Sequence, residues 1–461
     1  MVRTIRILMV ILSLILLISS LQAASYPDHW TYLAGGDSLL AWVDSLVNVE
    51  PSADGKGLQL APDQLTGYVV FKPQTVPDSF NQGLPSWNGH AQTDQSAFKV
   101  YIRFPYNGGW SRWMTAGYWK SHIWSSYGYT SYQKGSIDVD YVQLTAYQAG
   151  WQFKVEFKRK SLASDIPSLW KLSLFTSDSR TTDQIDYTQL RNDNPDSVFV
   201  PTRFVAQHLV DPEIGGSICS PSTVAMILSS YEIDVDVKSF AENTLDPYWE
   251  MFGVWPRVVV HASEYGLNGS VTRYRSWSQA REVLAAGGRI GMSVSTPLYG
   301  GHLMMLAGFT SDGRPIVHDP ARTDDGYSKI FDKTELAQSW IGHGGIAYTF
   351  YPSDPVTPVK EEIRHITGPD PIRIDLYPNP CSDHLNLKLE TVQPGTMTIQ
   401  LYNLNGQLVQ TLFDGFLTAG YHPMKWNRSA IQHGNLAAGI YLVVVRDSGR
   451  SPHTRKLVWL K

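Results

Sequence analysis

The chain has 461 residues, of which 43% are hydrophobic and 17% charged, and its formal net charge is −4. This length and composition indicate a globular protein of two to four domains and exclude an intrinsically disordered chain. The small negative charge gives no basis for binding nucleic acid or an anionic membrane surface. Two cysteines allow at most one disulfide, so stability must come from ordinary hydrophobic cores.

The N-terminus has the pattern of a secretory signal peptide. Arg3 and Arg6 precede an apolar run over residues 7–21, and small residues follow up to Ala24. The run is shorter than the roughly 20 apolar residues that span a bilayer, which favours removal after export over a membrane anchor. We therefore predict a signal peptide over residues 1–24 and no transmembrane helix after its removal.

Residues 25–201 alternate apolar and polar side chains, as in the runs 98–104, 138–144 and 151–158. Helical periodicity is nearly absent, which predicts an all-β sandwich. Part of its aromatic content is concentrated in one Gly- and Ser-rich stretch, with Trp110, Trp113, Trp119, Trp124, Tyr127, Tyr129 and Tyr132. Such rings either bind a glycan or peptide or fill the core of the sandwich. Both interpretations stay open, as does an inhibitory or chaperoning role for this domain.

The remainder of the chain divides into a mixed region, a linker and a second β region. Residues 202–352 have helical patterns first and strand patterns later, including predicted strands over 302–309 and 315–319, which is typical of an α+β domain. A stretch rich in proline and charge over residues 353–371 predicts a linker. Residues 372–461 have short strand patterns separated by turn signals and predict a small β-sandwich.

Cys219 lies between a glycine-rich turn and an apolar helical run. Pro221 suits the first turn of a helix, because that position needs no N–H donor. The thiol would then lie at a helix N-terminus, where unpaired N–H groups and the helix dipole favour a thiolate. A buried, inert cysteine is the alternative, but Gly215 and Gly216 favour a surface loop. Cys219 is therefore a candidate nucleophile, and Cys381 must then stay unpaired.

A histidine and an aspartate on one predicted hairpin supply the partners that a thiol nucleophile needs. His302 opens one strand, Asp312-Gly313 forms a turn signal, and Asp319 ends the returning strand. A two-residue turn places His302 opposite residue 323, and a tighter register places it opposite residue 321. In both registers His302 and Asp319 share a face, although twist or a bulge must bring them together. The carboxylate would hold the imidazole in the tautomer that accepts the thiol proton.

Other residues compete with these or add to them. His318 points to the opposite face of its strand and is interpreted as a packing residue, while His261 and His343 are weaker candidates for the base. Gln207 lies twelve residues before Cys219, and its amide is a candidate donor to an oxyanion, together with the N–H of Cys219. The sequence has no His, Cys, Asp or Glu cluster with the spacing of a zinc or iron site, so no cofactor is predicted.

Residues 202–352 resemble the bacteriocin-processing-peptidase-like family, which is family thirty-nine of the cysteine peptidases in the papain clan. The matching pieces are Val205-Ala206-Gln207, Cys219-Ser220-Pro221-Ser222, Gly301-His302 and Asp319-Pro320-Ala321. The resemblance implies a papain-like fold with Cys219 as nucleophile, His302 as base, Asp319 as its orienting group and Gln207 in the oxyanion hole. It also implies hydrolysis of peptide bonds through a thioester acyl-enzyme.

Residues 372–461 resemble the C-terminal sorting domain, of type A, that directs cargo to type IX secretion. The matching pieces are Leu376-Tyr377-Pro378-Asn379-Pro380, Leu401-Tyr402-Asn403-Leu404-Asn405-Gly406, Leu436-Ala437-Ala438-Gly439-Ile440-Tyr441 and Lys456-Leu457-Val458. The resemblance implies the type IX machinery as a partner and a final location at the cell surface or in the medium.

The leading hypothesis is a secreted cysteine peptidase that acts on a peptide or protein substrate. The alternative is a catalytically silent surface protein that binds a glycan or protein through its aromatic N-terminal sandwich. All three triad positions are filled, which favours the enzyme. Trp249, Trp255 and Tyr299 are candidate specificity residues, but the sequence does not define the substrate.

Overall fold

The computed structural model describes residues 27–120, 123–124, 126–353, 372–377, 379, 381–382, 384–391, 395–403, 406–417, 420–427, 431, 436–447 and 452–460. The predicted signal peptide lies outside these residues, as does residue 354 onward of the predicted linker. The chain is a multidomain protein with an N-terminal β-sandwich, a central α+β domain and a small C-terminal β-sandwich, as the sequence predicts. Among the described residues, no helix is both long and apolar enough to cross a bilayer.

Two antiparallel sheets form the N-terminal sandwich, and they share one long strand. The first sheet contains β1 (His29–Ala34), β3 (Val49–Pro51), β4 (Leu58–Leu60), β6 (Gln74–His90), β11 (Ser131–Tyr132), β12 (Gly135–Asp138), the first half of β13 (Tyr141–Arg159) and β14 (Ser168–Ser177). The second sheet contains β2 (Val43–Val47), β5 (Thr66–Phe71), β7 (Ser96–Arg103), β10 (Met114–Lys120) and the second half of β13.

Alternation along these strands builds the core between the two sheets. On β13, Phe153, Val155 and Phe157 are buried, while the residues between them project to the other side of the sheet. Buried aromatic rings from both sheets fill the interior, including Trp87, Phe98, Trp119 and Trp151. A short hairpin of β8 (Pro105–Tyr106) and β9 (Gly109–Trp110) and the helix α1 (Gly36–Ala41) complete this domain.

The central domain has helices packed on one antiparallel sheet. The strands are β15 (Val198–Phe199), β16 (Leu267–Arg273), β17 (Arg289–Val294), β18 (His302–Phe309), β19 (Pro315–His318), β20 (Lys329–Ile330) and β21 (Ile346–Pro352). The helices are α2 (Arg180–Asp183), α3 (Tyr187–Asn192), α4 (Cys219–Ser229), α5 (Val237–Thr244), α6 (Trp255–Ser263), α7 (Trp277–Ala285) and α8 (Lys333–Ser339). The helix α4 packs on β18 and β17, where the Thr223 hydroxyl donates to the Leu303 carbonyl at 3.0 Å.

The first sheet of the sandwich packs against the central domain through a polar, buried interface. The Asn88 side chain donates to the Gly269 carbonyl at 2.9 Å and accepts from the Gly269 N–H at 3.0 Å. Ser86 accepts from the Val271 N–H at 3.0 Å, and all four of these residues are buried. Because such groups need partners when they leave water, this pairing fixes the two domains relative to each other.

The C-terminal domain packs two sheets around their own core. One sheet contains β22 (Ile372–Tyr377), β23 (His384–Thr391) and β26 (Gly420–Asn427), and the other contains β24 (Gly395–Asn403), β25 (Leu408–Leu417), β27 (Gly439–Asp447) and β28 (His453–Trp459). Cys381 is a free thiol buried in this core, and burial raises its pKa. The second cysteine of the chain therefore lies inside a different domain from Cys219.

Candidate active site

Cys219 is the first residue of α4 and follows a short 3-10 turn at Gly215–Ser217. The first backbone bond of the helix joins the Ser222 N–H to the Ile218 carbonyl, so the N–H groups ahead of it lie at the open end of the helix. Every residue of α4 after Cys219 is buried. The thiol is therefore held at the N-terminus of a rigid, enclosed element, as the sequence predicts.

The hairpin of β18 and β19 has a longer turn and one irregularity that the sequence does not reveal. Thr310 and Arg314 pair across the turn, so the loop is Ser311–Gly313 and not the expected two residues. A bulge between Leu306 and Gly308 then shifts the register, and Met305 lies opposite His318. Continuation of this register places His302 opposite residue 321, the tighter of the two predicted alternatives.

The bulge decides whether His302 and Asp319 meet. Side chains alternate along a strand, so a one-residue shift turns every side chain to the other face. With the register of the turn, Asp319 would face away from His302, and the bulge restores a common face. The His302 ring then contacts Asp319, with Nε2 at 2.8 Å from Oδ1.

His302 also contacts Cys219, so one imidazole connects the thiol and the carboxylate. Since Nε2 is held by Asp319, Nδ1 is the ring nitrogen left for the hydrogen bond with the thiol. His302 and Asp319 are both buried, while Cys219 is partly exposed. The structure thus brings together three of the four residues that the sequence singles out.

The electrostatics of these three residues favour a charged pair. Burial raises the pKa of the Cys219 thiol, but the hydrogen bond and charge of His302 and two backbone N–H groups together hold it below its usual value. Burial lowers the pKa of His302, yet its bonds to Asp319 and Cys219 outweigh this and raise it to about 9. Burial also raises the pKa of Asp319, but its hydrogen bonds from His302 and Tyr299 keep it below the usual range. These shifts favour a thiolate beside an imidazolium over the neutral thiol and imidazole.

Tyr299 is a part of this site that the sequence gives only as a specificity candidate. Its hydroxyl donates to Oδ2 of Asp319, and its ring centroid lies 4.4 Å from that of His302. The Ala321 N–H donates to Oδ1 of the same carboxylate at 3.1 Å. Both carboxylate oxygens are thus fixed by donors. In the sequence, the only sign of this contact is that Tyr299 lies three residues before His302.

Gln207 joins the two segments that carry the other residues. Its Nε2 donates to the Gly215 carbonyl at 2.8 Å, and its backbone N–H donates to the Pro320 carbonyl at 2.8 Å. The side chain is buried, and its Oε1 has no hydrogen-bond partner among the described residues. Gln207 is therefore beside the turn that leads into Cys219, with the second N–H of its amide still available.

The competing histidines have other surroundings. His318 is fully buried and stacks on Tyr327 with ring centroids 4.4 Å apart, and burial lowers its pKa to about 3. His261 bonds to Glu264 at 3.1 Å, and His343 bonds to the Thr296 carbonyl at 2.9 Å. His318 is thus a packing residue, as its strand position predicts.

The aromatic stretch of the first domain does not form a single cluster. Trp119 belongs to the sandwich core, and its Nε1 donates to Glu264 of the central domain at 3.0 Å. The Tyr127 ring stacks on that of Tyr248 with centroids 4.5 Å apart, and its centroid lies 5.8 Å from that of Trp249. Tyr248 and Trp249 of the central domain therefore contact the sandwich. Trp110 and Trp113 lie elsewhere, beside Arg103.

Trp255 also contacts the first domain, and the loop before it borders the site. The Trp255 N–H donates to the buried Asp140 carboxylate at 2.6 Å. A methyl group at Gly253 would lie 3.7 Å from the Cβ of Ser220, the neighbour of Cys219. The first domain therefore supports the loop that passes the N-terminus of α4.

Three family models match successive parts of the chain. Residues 200–348 match the Peptidase_C39 like family, residues 375–460 match the secretion system C-terminal sorting domain, and residues 66–177 match the Peptidase C39 N-terminal domain. The first two matches confirm the resemblances drawn from the sequence. The third shows that residues 66–177 of the sandwich are similar to the Peptidase C39 N-terminal domain, which the aromatic composition did not reveal. Together they describe an exported, peptidase-like protein that uses type IX secretion.

No curated protein matches the chain. Solved structures match it at TM-scores too low to carry an argument. PorZ of Porphyromonas gingivalis is 14% identical over 35% of this chain and 21% of its own, with a TM-score of 0.15. A Listeria innocua β-glucosidase is 10% identical over 24% of this chain and 21% of its own, at 0.15. Latent PorU of P. gingivalis is 10% identical over 91% of this chain and 34% of its own, at 0.18. The chain thus spans at most 34% of the length of any of these three proteins.

Proposed function

We propose that this chain is an exported cysteine peptidase that hydrolyses peptide bonds with Cys219, His302 and Asp319. The observation that carries the proposal is the position of the His302 ring, which contacts the Cys219 thiol and lies 2.8 Å from Oδ1 of Asp319. The buried His318, by contrast, bonds only to the backbone, at the Val200 carbonyl and the Ser328 N–H. Contact with both a thiol and a carboxylate, in this order, suits acyl transfer.

The reaction would begin from the thiolate–imidazolium pair. The Cys219 thiolate attacks the carbonyl carbon of the substrate amide, and the imidazolium of His302 gives its proton to the departing amine. This step leaves a thioester on Cys219. Neutral His302 then takes a proton from water, and the resulting hydroxide attacks the thioester carbon. The C–S bond breaks, the carboxylic acid leaves, and the Cys219 thiolate and the His302 imidazolium are regenerated.

The negative oxygen that forms in both steps needs hydrogen-bond donors. The N–H of Cys219 lies at the open end of α4, and the Nε2 of Gln207 keeps one N–H beyond its bond to Gly215. Donors of this kind, fixed before the reaction, stabilise the charge of the transition state. We assign Gln207 and the Cys219 N–H to this role.

Thiol labelling of the full-length protein tests the proposal. A peptide-based electrophile should label Cys219 faster at neutral pH than an ordinary thiol, because the lowered pKa favours the thiolate. His302→Ala should reduce the labelling rate to that of an ordinary thiol, and Cys219→Ser should abolish rapid labelling. Cys381→Ser is the matched control, since this second thiol is buried in another domain and its loss should leave the rate unchanged.

A peptide library then tests hydrolysis directly. Cleavage by the wild type and none by Cys219→Ala would support the peptidase and define its substrates. Slow labelling that His302→Ala does not change, with no cleavage, would contradict the proposal. That result would favour the alternative of a catalytically silent surface-binding protein.

A further inference from the structure

The outer face of the second sheet of the N-terminal sandwich carries aromatic rings interleaved with cations. Side chains on β7 and β13 alternate, and those that avoid the core point to this face. We call it the outer face and define it by Tyr68, Lys99, Tyr101, Arg103, Trp110, Trp113, Gln152, Lys154, Glu156 and Lys158. It lies on the opposite side of the second sheet from the sandwich core.

The rings and cations of the outer face are in contact. The Arg103 guanidinium lies 4.2 Å from the ring centroid of Trp113 and 5.0 Å from that of Trp110. The Lys154 ammonium lies 4.7 Å from the Tyr101 ring and 5.9 Å from the Tyr68 ring. These contacts hold the rings in one continuous layer from Tyr68 to Trp110, so a ligand meets a preformed surface.

The outer face has an excess of positive charge. Its two central strands carry Lys99, Arg103, Lys154 and Lys158, of which Lys99 is only 3% exposed. The carboxylates near these are Glu156 and, on β2, Asp44. Glu156 is already occupied, since it accepts from Lys154 at 2.6 Å and from the Tyr101 hydroxyl at 2.7 Å.

The other cations of the face bond to neutral groups. Arg103 donates to the Gln152 side chain at 2.8 Å, Lys99 donates to two backbone carbonyls, and Lys158 donates to the Ile123 carbonyl at 2.7 Å. Lys99 is buried, so three accessible cations meet two carboxylates among the described residues, and Arg103 has further N–H groups besides those bonded to Gln152. This charge balance is complementary to an anionic ligand.

We propose that the outer face binds an acidic polysaccharide. Sugar rings would lie flat on Tyr68, Tyr101 and Trp113, and their carboxylates would be held by Arg103. Tyr68 is 37% exposed, and polar groups separate the rings, so the face lacks the continuous apolar area of a protein-docking surface. An exported protein meets such polymers outside the cell, whereas the aromatic layer alone would also suit single-stranded nucleic acid.

Affinity electrophoresis of the full-length Cys219→Ala protein tests this inference. Alginate, a polymer of uronic acids, should retard the protein, and neutral dextran should not. Trp113→Ala and Arg103→Gln should each weaken the retardation about tenfold. Tyr32→Ala is the matched control, because Tyr32 is an exposed ring on the first sheet and its loss should change nothing. Melting temperatures identify a variant that fails to fold, and Arg103→Gln is the milder substitution.

Three results would overturn the inference: no retardation by alginate, equal retardation by dextran, or stronger binding of a single-stranded oligonucleotide than of alginate. Retardation that both outer-face variants leave unchanged would also contradict it. The measurement uses a variant without the thiol, so its outcome is independent of whether Cys219 is catalytic.

Discussion

The Tyr299 hydroxyl donates a hydrogen bond to Oδ2 of Asp319, while the other carboxylate oxygen holds His302. Tyr299 thus acts on the imidazole through Asp319 and also packs against its ring. We expect Tyr299→Phe to lower kcat about tenfold with little change in KM, because a hydrogen bond to a charged group is lost while the substrate site is not touched.

The pH profile separates this positioning role from a general loss of stability. Without the Tyr299 donor, more of the negative charge of Asp319 remains to stabilise the His302 imidazolium. The pH above which activity falls should therefore not decrease in Tyr299→Phe. A rise in KM with unchanged kcat would instead support the interpretation of Tyr299 as a specificity residue.

The pH dependence of kcat/KM should be bell-shaped. The reactive pair exists above the lowered pKa of Cys219 and below the pKa of His302, which is about 9. Activity should therefore rise as the thiol loses its proton and fall as the pH passes about 9. Asp319→Asn removes the carboxylate that favours the imidazolium, so its alkaline limb should move to lower pH. An alkaline limb that does not move in Asp319→Asn would show that His302 is not the group responsible.

The sequence was sufficient for the elements of the site but not for all of its contacts. Strand β18 begins at His302 as predicted, because the apolar run and the preceding glycines mark its start. Local patterns did not reveal the three-residue turn, the bulge or the pairing of β18 with the distant strand β15. The interface between the sandwich and the central domain could not be predicted either, since its polar residues resemble surface residues in the sequence.

Gly308 lies beside the bulge and allows β15 to pair closely with β18, so its substitution should disturb the site at a distance. A Cβ at this position would lie 1.9 Å from the Val198 carbonyl oxygen, so β15 and β18 must separate or the register must change. We expect Gly308→Ala to lower the melting temperature by several degrees and to reduce labelling of Cys219. Gly300→Ala is the control, because a methyl group added there would meet no atom within 4 Å beyond its chain neighbours, and its melting temperature should be nearly unchanged. An active, stable Gly308→Ala protein would contradict this role of Gly308.

Gln207→Ala should lower kcat about 100-fold, the usual effect of removing one donor to an oxyanion. The labelling rate of Cys219 with a small alkylating reagent should stay close to that of the wild type, because alkylation forms no oxyanion. Gln207→Glu should be at least as impaired, since it places a negative charge near the oxyanion. Equal losses of alkylation and hydrolysis in Gln207→Ala would mean that the residue only holds Gly215 and Pro320 in place.

Glu264 anchors the sandwich to the central domain, which bears on whether the first domain is a removable inhibitor. Its carboxylate accepts from Trp119 at 3.0 Å, pairs with Lys120 at 3.4 Å and contacts His90 at 3.2 Å, all from the sandwich. Removing one partner from a buried charge network costs roughly 3 kcal/mol. We expect Glu264→Gln to lose about this much unfolding free energy, and the exposed Glu335→Gln to lose less than about 0.5 kcal/mol.

The pH dependence of stability gives the sign of this contribution. Burial raises the pKa of Glu264, but hydrogen bonds from His261 and His90 and the charge of Lys120 hold it far below its ordinary value of 4.5. The stabilisation is therefore complete above about pH 4.5 and is lost as the pH falls further. The free energy of unfolding should thus change less between pH 7 and pH 4 in Glu264→Gln than in the wild type.

If the sandwich is a permanent part of the protein, proteolytic nicking between the domains should leave them associated and Cys219 reactive. Release of the sandwich with a gain in labelling would instead identify it as an inhibitory segment.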